Sequence, residues 1–134
     1  MCYDVIRSDR GGNINKGLFI IPGVNSSLQD HHINATVKSA IEQGIHCVMV
    51  NPVRPALEKA VEDLEVIDYS RIEAVSESVK AIKAIFGQNA HIYAIGYSLG
   101  SNHLLRHLGA HEDCHKVCGI KAAVSISGCY EVRA

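Results

Sequence analysis

The sequence predicts an α/β protein, a three-layer sandwich built on a mostly parallel sheet. Two observations carry that expectation. Short β-branched runs alternate with stretches whose apolar residues recur at helical spacing, and the runs lie too far apart to pair as hairpins. Each intervening helix must then be a crossover, which sets the strands parallel and lays helices on both faces of the sheet. With 134 residues, 47% of them hydrophobic and 20% charged, the chain has the length and composition of one globular domain.

Cys2 to Ile6 reads as a first short strand, and Gly11-Gly12-Asn13 as turn chemistry leading into the apolar run Leu18-Phe19-Ile20-Ile21, which stops at Pro22-Gly23. A helix is expected from about Asp30 to Gln43, where Ile33, Val37, Ala40 and Ile41 share one face and Gly44 suits the left-handed position past a helix end. The pattern then repeats. His46 to Val50 is a strand ended by Asn51-Pro52; Ile72, Val75, Val79, Ile82 and Phe86 mark a helix with Ser70 and Glu73 as its capping box and Gly87 as its stop. His91 to Ile95 is a third strand of this series, Ser98 to Leu108 a helix ending at Gly109, and Ala122 to Ile126 a last strand. Only Asn51 to Tyr69 resists the scheme; it is read as a partial helix through Leu57, Val61 and Leu64 with a solvated acidic face.

Charge and cysteine content exclude several functions. Thirteen basic and fourteen acidic side chains give a formal charge of -1, so no overall field recruits nucleic acid or anionic membrane. Asp4, Arg7, Asp9 and Arg10 interrupt the N-terminus, leaving no signal-peptide core, and no apolar run approaches the ~18 residues of a membrane span. Five cysteines, with Cys47 and Cys129 in or beside apolar runs, fit a reducing compartment, so a cytoplasmic location is expected. His111, Cys114, His115 and Cys118 have metal-binding chemistry but crowd into one connection, whereas structural zinc sites draw ligand pairs from separate loops. Neither a metal nor a cofactor is expected.

The chemistry concentrates in Gly96-Tyr97-Ser98-Leu99-Gly100, a G-x-S-x-G string placed where an apolar strand ends and an amphipathic helix begins. That context is the one a nucleophile elbow requires. The serine occupies so tight a turn that side chains two positions to either side would collide with neighbouring backbone, and glycine removes the conflict. The turn lifts the Ser98 hydroxyl to the positive end of the next helix, beside the Leu99 N–H, where a negative tetrahedral intermediate would be stabilised. A second oxyanion donor is expected from the corner after the Leu18 to Ile21 strand, from the N–H of Val24 or of Gly23. G-x-G-x-x-G dinucleotide binding is excluded, because Gly96, Ser98 and Gly100 do not fit that spacing.

These residues resemble the YheT-like, embryogenesis-associated branch of the α/β-hydrolase esterases and lipases. The likeness rests on Pro22-Gly23-Val24 before a Ser-rich loop, on Gly96 to Asn102 continuing into Leu104-Leu105 and Leu108-Gly109, and on Ala122-Ala123-Val124-Ser125-Ile126-Ser127. It implies a partial α/β-hydrolase fold and a serine ester hydrolase acting on small-molecule or lipid esters, with Ser98 as nucleophile and Val24 and Leu99 as oxyanion donors. The family usually has His-Gly where this chain has Pro22-Gly23, a glycine in place of Ser26, and an Arg-Gly turn in place of Val53-Arg54-Pro55.

Such a serine needs a base, normally a histidine oriented by a carboxylate, supplied in the order Ser, acid, His from loops beyond later strands. After Ser98 stand His103, His107, His111 and His115, with Glu112, Asp113 and Glu131, and none occupies the expected position. Residues 1–134 are therefore read as one hydrolase core lacking its late strands, inactive alone, with a sheet edge awaiting a partner or a missing segment. The competing reading is a non-catalytic binding or scaffold module on the same core.

Overall fold

The computed structural model describes residues 2–10, 15–24, 26–51, 73–110 and 119–128. Outside them fall the Gly11 to Asn13 turn, the Ser70 cap, the segment after Asn51 read as a partial helix, the His111 to Cys118 cluster and Cys129.

Within them the chain forms β1 (Cys2–Ile6), β2 (Lys16–Ile21), α1 (His31–Glu42), β3 (His46–Asn51), α2 (Glu73–Phe86), β4 (His91–Tyr97), α3 (Leu99–Gly109) and β5 (Ile120–Ile126). The five strands make one sheet in the order β1-β3-β2-β4-β5. β2, β3, β4 and β5 are mutually parallel, and β1 runs antiparallel to β3 at the edge.

Alternation along each strand sorts the core into two halves. Phe19, Ile21, Val48, Val50, Ile92 and Ala94 face α2 and α3, meeting Val75, Val79, Ile82, Phe86 and Leu104. Ile20, Cys47, Met49 and Tyr97 face α1, meeting Ile33, Val37 and Ala40. This is the three-layer arrangement the sequence predicts. A central strand of such a sheet must be apolar on both faces, which is why Phe19, Ile20 and Ile21 are consecutive and all buried.

Helix ends follow local chemistry. Gly44, at φ 77, closes α1: its N–H donates to the Ile41 carbonyl at 3.0 Å and the Ile45 N–H to the Ala40 carbonyl at 2.9 Å, the paired bonds of a Schellman end. Gly109 behaves otherwise. It is the last residue of α3 rather than its stop, and Ala110 caps the helix in right-handed geometry.

The expectation that every strand is covered on both faces fails at β5. Ala122, Val124 and Ile126, which share one face, are exposed, Val124 at 53%. The cause is placement: α1 covers β2, β3 and the end of β4, and no described helix lies over β5 on that face.

Burial also sets the chemistry of Cys47, whose thiol is pushed up from 9.0 to about 11 because the thiolate would lose its water. The neutral thiol is favoured in the folded state, so this contribution is complete below pH ~9, where the unfolded chain begins to ionise, and fades toward pH ~11. Relative to Cys47→Ala, the parent chain should lose roughly 2 kcal/mol of stability between pH 8 and 11, measured by urea midpoints at the two pH values.

Candidate active site

The site follows from the order of the strands. From β2 the chain steps outward to β3 on one side, then returns to β4 on the other side of β2. The connections leaving the carboxyl ends of β2 and β4 therefore diverge to opposite faces, opening a crevice at a topological switch point. Ile21 pairs with Gly96 in the register of these two strands, so Pro22-Gly23 and Tyr97-Ser98 emerge side by side.

Ser98 is the N-cap of α3, at φ 49 and ψ -117. Among the described residues only Ser98 and Ser127 combine a side chain with positive φ. Serine at this position ordinarily turns its hydroxyl back onto the helix, but the Ser98 side chain makes no capping hydrogen bond. The main chain does the capping: the Ser98 carbonyl accepts from the Ser101 N–H at 3.0 Å and the Asn102 N–H at 3.4 Å. Leu99 and Gly100 are the next N–H groups at a helix end whose dipole favours negative charge. Ser98 is itself exposed, and its N–H donates to the Ile126 carbonyl at 2.9 Å, anchoring the turn to β5.

Crowding explains both motif glycines. A Cβ on Gly100 would lie 2.2 Å from the Ile21 carbonyl oxygen and 2.5 Å from that of Pro22; one on Gly96 would lie 2.6 Å from the Ser101 Cα. These neighbours are backbone atoms and cannot step aside. The β2 corner is close as well, since a Cβ on Gly23 would meet the Ser98 Cβ at 3.2 Å and the Ser26 hydroxyl at 3.5 Å. Gly23 is buried and Val24 is 65% exposed, so the corner presents its next residue at the crevice mouth. The structure thus brings Gly23, Val24, Gly96, Ser98, Leu99 and Gly100 together.

Sequence reasoning missed a buttress beneath this turn. The Tyr97 ring is buried on the α1 face, its hydroxyl bonded to Thr36 Oγ1 at 2.5 Å and its edge against the His32 ring, centroids 5.0 Å apart. Thr36 donates its own proton to the His32 carbonyl at 3.0 Å, which leaves the Tyr97 hydroxyl as donor to Thr36. Separation by 61 residues hides such a pair from any local pattern.

Three of the other described histidines lie in other surroundings. His46 and His91 begin their strands at the opposite end of the sheet. His107 is fully buried in α3, with Nδ1 3.5 Å from the Ser76 hydroxyl of α2. Among the described residues no imidazole is hydrogen-bonded to Ser98, and no group of three or more His, Cys, Asp or Glu is arranged to hold a metal.

Solved structures share this architecture. Est1E from Butyrivibrio proteoclasticus, with ferulic acid bound, superposes with a TM-score of 0.67 over 95% of this chain and 48% of its own, at 15% identity. Esterase Pf2001 from Pyrococcus furiosus gives 0.63 over 95% of this chain and 51% of its own, at 18% identity. A lidless α/β serine hydrolase from Xanthomonas campestris, XC6422, gives 0.54 over 81% of this chain and 50% of its own, at 17% identity. The fold is that of the α/β hydrolases.

In sequence, the chain is similar to the embryogenesis-associated protein EMB8 of Picea glauca, 28% identical over 109 residues that cover 81% of this chain. No family model matches the chain. It spans 23% of the length of EMB8 and about half that of the Est1E and Pf2001 structures. No described helix is long and apolar enough to cross a membrane.

The glycine geometry gives a direct test. Gly100→Ala should cost about 3 kcal/mol or more, because a methyl group at 2.2 Å from a carbonyl oxygen forces β2 and α3 apart. Gly109→Ala, with no heavy atom of the described residues beyond its own helical turn within 4 Å of the added carbon, should be neutral or stabilising by up to about 1 kcal/mol. Thermal melts of the two variants beside the parent separate the cases.

Proposed function

We propose that the crevice is the nucleophile half of a serine ester hydrolase, acting on small-molecule or lipid carboxylic esters through an acyl-enzyme on Ser98. One observation carries the reading: an exposed serine held at positive φ on a helix N-terminus, its hydroxyl not used to cap that helix. The esterases among the structural neighbours support it, as does the similarity to EMB8.

In the proposed reaction Ser98 Oγ attacks the ester carbonyl and its proton passes to a base. The carbonyl oxygen becomes an alkoxide, received by the Leu99 N–H at the start of α3 and by the Val24 or Gly23 N–H at the β2 corner. Collapse expels the alcohol, which takes up the proton and leaves an ester on Ser98; water then attacks that ester and releases the acid. The chain described here contributes the nucleophile, the oxyanion donors and the helix field. No base is assigned.

Treatment with an alkyl fluorophosphonate, read by intact mass and peptide mapping, should modify Ser98 alone, and Ser98→Ala should abolish the adduct. Because no imidazole is hydrogen-bonded to Ser98 among the described residues, labelling should be slow, and added imidazole should accelerate it by standing in for the base. Rapid labelling without imidazole would show a base already in place. Modification spread over other serines would remove the catalytic reading and leave a binding or scaffold module.

A further inference from the structure

Serine stands at positive φ twice among the described residues, and the second instance, Ser127 at φ 53, is not used by the mechanism above. The β4–β5 ladder pairs Gly96 with Ser125 and Tyr97 with Ile126, so one step further along, past both carboxyl ends, stand Ser98 and Ser127. Adjacent strands run about 5 Å apart. Both residues leave their strands through nearly the same left-handed φ, 49 and 53, and both are exposed.

The conformation at Ser127 is held from either side. Before it, Ser125 and Ser101 share a short hydroxyl–hydroxyl hydrogen bond, and the Ile126 carbonyl accepts the Ser98 N–H at 2.9 Å. After it, Gly128 presses so closely on the first turn of α3 that a Cβ there would lie 2.5 Å from the Ser101 hydroxyl and 3.2 Å from Asn102 Oδ1. Elsewhere the described chain meets positive φ with glycine, at Gly44, Gly87 and Gly119. Glycine at 127 would serve the backbone at lower cost, so the serine there points to a use for its side chain.

We propose that Ser127 is a substrate-contacting residue of the same site. The oxyanion corner at Gly23-Val24 lies on the β2 side of Ser98, and Ser127 lies on the β5 side. A tetrahedral carbon bonded to Ser98 Oγ directs one oxygen to the corner and a second, the alkoxy oxygen of an ester, across to β5. The Ser127 hydroxyl donates a hydrogen bond to that second oxygen. This inference rests on Ser98 as the nucleophile.

Two boron acids test it without an added base. With 4-fluorophenylboronic acid, a Ser98 Oγ lone pair fills the empty boron orbital, an O–B bond forms, the hydroxyl proton goes to water, and the anionic tetrahedral boron keeps both its hydroxyls. Bis(4-fluorophenyl)borinic acid reacts in the same way but keeps only one hydroxyl, which the oxyanion corner takes. Affinities for both are read by fluorine NMR. Ser127→Ala and Ser127→Gly should weaken the boronic acid by about three- to tenfold, the worth of one hydrogen bond, and leave the borinic acid unchanged. Ser127→Asn, which tolerates positive φ and keeps a donor, should recover part of the loss. Ser127→Gly should melt no lower than the parent, since it relieves the backbone. Equal effects on both probes, or on neither, would overturn the role of Ser127 and leave the ester hydrolase reading standing. If Ser98→Ala binds the boronic acid as the parent does, or the parent binds neither probe, both proposals fall.

Discussion

Among the described glycines, Gly100 is where an added Cβ would meet neighbouring backbone most closely, the first turn of α3 facing the carbonyls of Ile21 and Pro22 at the exit of β2. The crevice geometry depends on it. With a side chain at Gly100 the helix would stand off the sheet, the Ser98 turn would open, and the β2 corner would no longer meet the Ser98 Cβ. Gly96 closes the same joint from below, against Ser101. Peptide groups in direct contact leave little room for adjustment, so a sparsely populated conformation at Ser98 persists although it is costly in isolation.

Support for this joint comes from three directions with different chemistry. Beneath it, Tyr97 is buried among apolar residues on the α1 face and tied by its hydroxyl to Thr36. From β5 come the Ile126 carbonyl and the Ser125 hydroxyl, which engage Ser98 and Ser101. On the β2 side the Asp30 carboxylate accepts the Ser27 N–H at 3.0 Å, fixing the loop that leads from Gly23 into α1. A polar tie whose partners are all satisfied specifies one arrangement more sharply than apolar packing alone.

How much of this was legible beforehand depends on the range of the cause. Strands and helices were readable because burial imposes local periods: Ile33, Val37 and Ala40 on α1 and the β-branched run in β3 carry their environment in their spacing. The tight turn at Ser98 was readable because its crowding falls on two glycines at fixed distances from one serine. The pairing of Tyr97 with Thr36, and of Ser101 with Ser125, was not, since nothing in a tyrosine, a threonine or two serines specifies a partner dozens of residues away. The bare flank of β5 was misread for a related reason. Ala122, Val124 and Ile126 have the composition of a covered strand, and composition does not say whether a helix lies over it. Gly109 is a smaller instance, a glycine at a helix end where the chain stays right-handed.

The edge strand β1 has a consequence for the order of assembly. Its partners run from Cys2 with Asn51 to Ile6 with Cys47, and the strand is followed by Ser8, whose N–H donates to His46 Nδ1 at 2.9 Å. These partners lie between 38 and 49 residues downstream, beyond β2 and α1, and closing so long a loop is entropically slow. β1 is therefore expected to pair late, after β2 and β3 have come together.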